Sequence, residues 1–507
     1  MIFQYGIDHL TIEIIDKMIK GQIIGKITND AMGKVSSCRD HVDKIARSDQ
    51  AVYGINTGFG PLCDTRISTE DTTDLQRRLL LSHAVGVGDP IDPILTKIMM
   101  ICKVHSLCQG YSGASISMIE RIIYFIDHDL TPMVPGQGSV GASGDLAPLS
   151  HLFLPLIGEG EFWIKGETVP TAEVLSQHNL NPLELKTKEG LALINGTQFI
   201  LAHTIAGLLQ MAYLLNLADL AGAMSLEGYQ GSEAPFSAVL HTLRPYDGTQ
   251  IVAAHIRSLL SESENVASHA NCSRVQDPYS LRCIPQVHGA SRNAYKHLHE
   301  LTEIEMNSVT DNPIIINAEE TISGGNFHGQ PLAMAIDYTA IATSELGNIS
   351  DRRSYLLLEG NHGLPRLLIR EPGLNSGLMI PQYTTAALVT ENKSLCFPPS
   401  ADSIPTSLGQ EDHVSMGSIS ARKFMTILSN VEKILAIELM YAAQAIDFRR
   451  PLRSSEIIET NHQIIRDKVA HLDQDRPLKK DIDAMITLVR GRALVVNPIT
   501  NPEKTGL

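Results

Sequence analysis

The 507-residue chain is poor in aromatic residues, which make up 5% of it with a single tryptophan, and it holds seven cysteines with no Cys-x-x-Cys pair. The cysteines are scattered at 38, 63, 102, 108, 272, 283 and 396. An odd, dispersed set excludes a disulfide framework and a cysteine zinc site, and it suits reduced thiols in a cytoplasm. Positive charge is also short. Lysine and arginine total 41 against 56 aspartates and glutamates, a net charge of -15, which argues against nucleic acid or an anionic membrane as partner. The opening Met1-Ile2-Phe3-Gln4-Tyr5 lacks a basic stretch followed by an apolar core, so no secretory signal is expected. The most apolar run, Phe199 to Ala218, is interrupted by His203, Gln210 and Asn216. A helix buried in a large core is the expectation there, not a membrane span. Internal repeats and low-complexity tracts are absent as well.

What is present is a globular composition, 43% hydrophobic, on a chain long enough for two or three domains. Residues 9 to 47 mix short helical patterns with polar turns. A helix is expected from Asp71 to His83, stopped by Ala84-Val85-Gly86-Val87-Gly88-Asp89-Pro90. The next begins with Asp92 as N-cap and Pro93 in its first turn, with Ile94, Leu95, Ile98, Ile101 and Cys102 on its apolar face. Gly110-Tyr111-Ser112-Gly113 breaks that pattern and marks the expected boundary between an N-terminal domain, 1–110, and a helical domain, 111–507. Trp163 to Lys188 reads as strands and turns. From Glu189 onward, apolar periods near 197–228, 285–308, 331–350 and 419–447 predict long helices; in the last, Phe424, Ile427, Leu428, Val431, Ile434 and Leu435 share one face. The fold class is therefore mainly α, a long-helix bundle.

Three motifs fail on context. Gly136-Gln137-Gly138-Ser139-Val140-Gly141 spells a dinucleotide fingerprint, but Pro132 and Pro135 precede it where a hydrophobic parallel strand is needed. Gly141-Ala142-Ser143-Gly144 is one residue short of a hydrolase nucleophile elbow. The 19 histidines are dispersed, and His297 and His299 sit at a spacing that points helical side chains apart, so no metal constellation forms.

Two glycine-rich loops remain. Tyr53-Gly54-Ile55-Asn56-Thr57-Gly58-Phe59-Gly60 is a tightly turning loop of the kind that carries functional groups. Gly141-Ala142-Ser143-Gly144-Asp145-Leu146-Ala147-Pro148-Leu149-Ser150 sets three small residues in a row before a helix expected near Leu146. Further segments are Ser82-His83, Asn195-Gly196-Thr197-Gln198, Gln276 to Arg282, Gly325-Asn326-Phe327-His328-Gly329 and Gln410-Glu411-Asp412-His413. Together, and in their order along the chain, these seven stretches resemble the aromatic amino acid ammonia-lyases.

The resemblance implies that Ala142-Ser143-Gly144 cyclises, with loss of two waters, to a methylidene-imidazolone (MIO). That electrophile activates the substrate's amino group as a leaving group, and no metal or diffusible cofactor is implied. It implies Tyr53 as general base, which asks the site to lower a phenol's ordinary pKa. Arg282 would take the substrate carboxylate through its planar fork. Tyr279 and Asn195 would position the prosthetic group and the leaving amine, with Gln276 and Phe327 as further contacts. On their own, Asn195 could cap a helix and Phe327 could be plain core. The implied architecture is that of the fumarase/aspartase type, a homotetramer whose active sites draw on several subunits.

Members acting on phenylalanine or tyrosine generally carry an apolar residue where this chain has His83, and glutamine where it has Glu411. A histidine and a carboxylate suit an imidazole ring, whose two nitrogens need hydrogen-bond partners. The implied reaction is L-histidine to trans-urocanate and ammonia, the first step of histidine degradation. The alternatives are a tyrosine or phenylalanine lyase or an aminomutase. One departure stands against the histidine pattern: Phe397 follows Glu391-Asn392-Lys393 where many such enzymes have a histidine.

Overall fold

The structure is a computed structural model and describes residues 2–48, 51–58, 60, 67–68, 71–270 and 275–496. Phe59, Cys63 and Cys272 lie outside them. The chain is mainly helical, and its longest helices follow the apolar periods of the sequence: Gln198–Tyr229, Ile284–Met306, Gln330–Leu358 and Gly417–Asp447. All six residues of the predicted Phe424–Leu435 face are buried. Gln198–Tyr229 is long and apolar enough to cross a bilayer, yet 67% of its most apolar window is buried inside the chain. It is a core helix.

Two compact units divide the chain. The first gathers Met1–Leu209, Leu298–Asp337 and Pro398–Arg422; the second gathers Gln210–His297, Tyr338–Phe397 and Lys423–Leu507. Among the described residues, every strand belongs to the first unit. Ile2–Gln4 pairs in parallel with Ile24–Lys26, while Val87–Pro90 and Pro135–Gln137 are antiparallel. Thr131–Pro132, Glu161–Ile164 and Glu167–Pro170 form a three-stranded antiparallel sheet, and Ile314–Ile315 pairs with Thr321–Ile322. The glycines that spell a dinucleotide fingerprint thus follow a short antiparallel strand, with no βαβ unit around them.

Local chemistry sets the ends of the early helices. Helix Pro93–Leu107 starts where predicted, with Asp92 Oδ1 accepting the Ile94 amide at 2.8 Å. Ile94 departs from the predicted apolar face: it is 49% exposed because it sits in the solvent-facing first turn, whereas Leu95, Ile98, Ile101 and Cys102 are buried. Helix Thr72–His83 runs to the predicted stop. Beyond it, the Gly86 amide donates to His151 Nε2 at 3.0 Å, and Ser150 Oγ bonds the Leu80 carbonyl. These ties hold the end of the His83 helix against helix Leu146–Phe153, which follows the Gly141 loop. The stretch predicted as strands and turns after Trp163 also contains a short helix, Thr171–Gln177, started by Pro170 at the N-cap position.

Candidate active site

The Ala142-Ser143-Gly144 turn is fixed by backbone conformations that few residues tolerate. Gly141, Ser143 and Gly144 have φ of +75°, +43° and +76°, in the left-handed region that costs a side-chain-bearing residue on the order of 1–3 kcal/mol. A Cβ at Gly144 would fall 2.1 Å from the Gly196 carbonyl oxygen, so only glycine fits. That carbonyl accepts the Asp145 amide at 2.7 Å. The Asp145 carboxylate is fully buried, and its Oδ2 accepts the Phe199 and Ile200 amides at 3.0 Å each. It thereby caps the N-terminus of helix Gln198–Tyr229, where unpaired amides favour negative charge. Burial still pushes this carboxyl up to about 7, against the pull of the two amides. Ala142 packs on Val414 and Met416, which closes the loop from below.

The turn opens onto a cavity of about 430 Å³ whose lining includes Tyr53, Ala142, Ser143, Asn312, Phe327, His328, Glu411 and His413. Glu411 is held by three hydroxyls. Oε2 accepts Thr406 Oγ1 at 2.9 Å and Ser407 Oγ at 2.8 Å, and Oε1 accepts Ser143 Oγ at 3.1 Å. Its turn is tight, with Ser407, Leu408 and Gly409 all at positive φ. His83 lies within reach of the Glu411 charge. Its Nδ1 faces the Leu79 carbonyl at 2.9 Å, which places the proton on Nδ1 and leaves Nε2 as an acceptor. Burial lowers the His83 pKa, with the Leu79 carbonyl and Glu411 opposing, so the ring is neutral near pH 7. Tyr53 Oη accepts the Gly60 amide at 3.4 Å.

An imidazole pair sits in the same cavity. The Gln330 amide donates to His328 Nδ1 at 3.3 Å, so the His328 proton is on Nε2. That nitrogen faces the His413 carbonyl at 3.3 Å and His413 Nδ1 at 3.5 Å, with the two rings stacked.

Asn195 is buried at the C-cap position of helix Glu189–Ile194, where its backbone amide donates to the Leu191 carbonyl. Its Nδ2 donates to Asn312 O at 2.7 Å and Asp311 Oδ1 at 3.3 Å, while among the described residues its side-chain oxygen accepts nothing. Behind it, the Lys103 ammonium donates to the carbonyls of Ala192 and Asn195, and Lys188 pairs with Asp311 at 2.6 Å. Burial pulls Lys103 down to about 7.

Gln276, Tyr279 and Arg282 belong to the other unit and line a hollow of their own, of about 540 Å³, with Tyr229, Asn361 and His362. The Arg282 guanidinium lies 4.5 Å over the Tyr279 ring, its Nε is buried without a hydrogen-bond partner, and Tyr279 is 70% exposed. One chain therefore gathers Tyr53, Ala142, Ser143, Phe327 and Glu411 around one cavity, with His83 beside it. Gln276, Tyr279 and Arg282 belong to the second unit.

Comparison with known proteins places the chain in a family. Residues 10–467 match the aromatic amino acid lyase family. The chain belongs to that family. The lyase is 46% identical to the histidine ammonia-lyase of Stigmatella aurantiaca over 484 residues, 95% of each chain. Among solved structures it resembles histidine ammonia-lyase from Trypanosoma cruzi, with a TM-score of 0.89, 39% identity and coverage of 97% of this chain and 94% of the other. It also resembles tyrosine aminomutase from Streptomyces globisporus, with a TM-score of 0.91, 33% identity and 97% of both chains covered. The lyase accordingly has the helical fumarase/aspartase-type fold.

Sequence reasoning missed several residues that build this site. Asp145 was read only as part of a motif, and Thr406, Ser407, Asn312 and the His328–His413 pair received no assignment. Lys103 carried a usable signal, a lysine inside the apolar stretch Ile101-Cys102-Lys103-Val104, because a charge on a buried helix must have built-in partners.

Proposed function

We propose that the lyase eliminates ammonia from L-histidine to give trans-urocanate, using an MIO group made from Ala142, Ser143 and Gly144. The residues present fit that group. Left-handed turns on both sides of Ser143, and a position 144 that admits no Cβ, make the compact, over-determined loop that backbone cyclisation demands. The group would supply an electron-poor methylidene carbon for the substrate's amine, chemistry that no side chain offers.

The chain's own residues do the rest. The phenol of Tyr53, on the cavity wall, takes the β-proton. The free amide oxygen of Asn195 accepts from the amine, held in place by Asp311 and Asn312. Glu411 and the neutral His83 bind the imidazole ring, and Phe327 packs against it. Arg282, whose Nε has no partner among the described residues, binds the carboxylate, with Tyr279 stacked beneath it. Its segment enters from a neighbouring subunit of a homotetramer. An exposed apolar stripe on helix Gln330–Leu358, comprising Met334, Tyr338, Ile341 and Tyr355, supports such an assembly. The five described cysteines are free thiols, which suits a cytoplasmic enzyme.

The observation that carries the substrate assignment is Glu411, bonded to Ser143 and lining the cavity, with the half-buried, neutral His83 close enough to feel its charge. Around a phenyl ring, each polar group left unpaired would cost about 1–3 kcal/mol. The relatives named above support it. The test is intact mass with a three-substrate assay. The protein should be two waters, about 36 Da, lighter than its sequence, and it should turn over histidine well ahead of tyrosine and phenylalanine. Unchanged mass overturns the prosthetic group; faster tyrosine turnover overturns the substrate.

A further inference from the structure

One bond in the cavity has no place in substrate recognition: the Ser143 hydroxyl donates to Glu411 Oε1 at 3.1 Å. Thr406 and Ser407 secure the opposite oxygen, so the carboxylate is locked with Oε1 turned towards the group that must leave if Ser143 is to become a methylidene carbon. Asp145 is already committed, to the Phe199 and Ile200 amides through Oδ2 and to Ser139 through Oδ1. Asp412 lines the cavity but makes no bond to Ser143. A carboxylate in hydrogen-bond contact with Oγ is also near Cα, only two covalent bonds away.

We propose that Glu411 catalyses the dehydration half of the chain's own maturation before it serves the substrate. The inference rests on the cyclisation proposed above. Ring closure joins Gly144 N to the Ala142 carbonyl carbon and releases one water, made from that carbonyl oxygen and the amide hydrogens of Ser143 and Gly144. The Glu411 carboxylate then takes the Ser143 Cα proton. The Cα–H pair becomes the Cα=Cβ bond, the Cβ–Oγ bond breaks, and the proton passes from Glu411 to the departing oxygen. A second water leaves, nothing is oxidised or reduced, and the carboxylate is restored. Loss of the hydroxyl frees Oε1 as an acceptor for a ring N–H, so completing the prosthetic group also opens the subsite that reads the substrate.

Intact-mass measurement tests this without reference to turnover. Wild-type protein should lack two waters, about 36 Da. Glu411→Gln keeps the shape of the side chain but trades one acceptor oxygen for a donor nitrogen and cannot carry the proton, so it should lack at most one water, about 18 Da, with an unchanged circular dichroism spectrum. Glu411→Asp, which withdraws the carboxylate by one methylene, should lose its second water measurably more slowly than wild type after refolding. Loss of both waters by Glu411→Gln overturns the proposal; if that variant does not fold, wild-type kinetics in Glu411→Asp overturn it. Wild-type protein that lacks no water at all is a different result, and it removes the cyclisation itself.

Discussion

Two regions of the lyase gather ionisable side chains, and they do so in opposite ways. In the second unit, Asp219 is completely buried and bonds His255 at 2.8 Å, His288 at 2.7 Å and Arg292 at 2.5 Å. Burial alone would raise its carboxyl, but Arg292 and the two histidines hold it well below the usual range. Nearby, Arg353 and Glu438 form a buried fork-to-fork pair that also receives Ser225. There, charges answer one another in a buried network, with His255 Nε2 and Arg292 Nε left over among the described residues. Around Ser143, by contrast, Glu411 is half-buried and lines open space, and acceptor positions stay free: His83 Nε2, the oxygen of the buried Asn195 side chain and, on the proposed dehydration, Glu411 Oε1. Crowding of titratable groups therefore does not distinguish a site from a scaffold. Vacant hydrogen-bonding positions facing a cavity do.

The contrast can be broken most violently at the turn itself. Gly144→Ala sets a methyl group against the Gly196 carbonyl. Activity should fall on the order of 10³-fold or more, as when a covalent catalytic group is lost, with the protein keeping its full sequence mass. A Gly144→Ala enzyme with wild-type turnover would show that the turn is not specific. The buried network should respond oppositely. Arg353→Leu strands Glu438 and should cost about 3–5 kcal/mol of stability in denaturant titration, while each folded molecule still loses two waters and turns over normally.

The smallest effect is the pH dependence of the first unit. Burial lowers His105 and His203 to about 4 in the folded protein. Between about 6.5 and 4 the unfolded chain binds their protons and the folded chain does not, so stability falls as pH drops through that window, by up to about 1.4 kcal/mol per pH unit for each histidine. Asp145, raised to about 7, works the other way between about 4 and 7. Asp145 thus offsets part of the slope that the two histidines produce. His203→Phe should flatten it; an unchanged slope would remove His203 from the balance.

Much of this was legible in the sequence where the signal is local. The helices after Glu189 announced themselves because their apolar periods run for several turns, and Asp92-Pro93 announced a helix start because capping is decided within three residues. Ile94 and the helix Thr171–Gln177 were misjudged because exposure in a first turn and a seven-residue helix depend on neighbours that a period does not reveal. The site was legible as motifs but not as geometry. Glu411 is fixed by Thr406 and Ser407 close in sequence and by Ser143, which is 268 residues away. Asp145 finds its amides 54 and 55 residues on. Such partnerships leave no spacing to read.

The Asp145 brace has a consequence for the order of events in a newborn chain. The amides of Phe199 and Ile200 converge on one carboxylate oxygen only when they already belong to a helical turn. A nascent polypeptide with residue 145 outside the ribosome and residue 199 still in the exit tunnel has nothing to clamp its Ala-Ser-Gly segment. The proposed self-modification would therefore wait until the core has assembled, and the mature mass would become a record that folding came first.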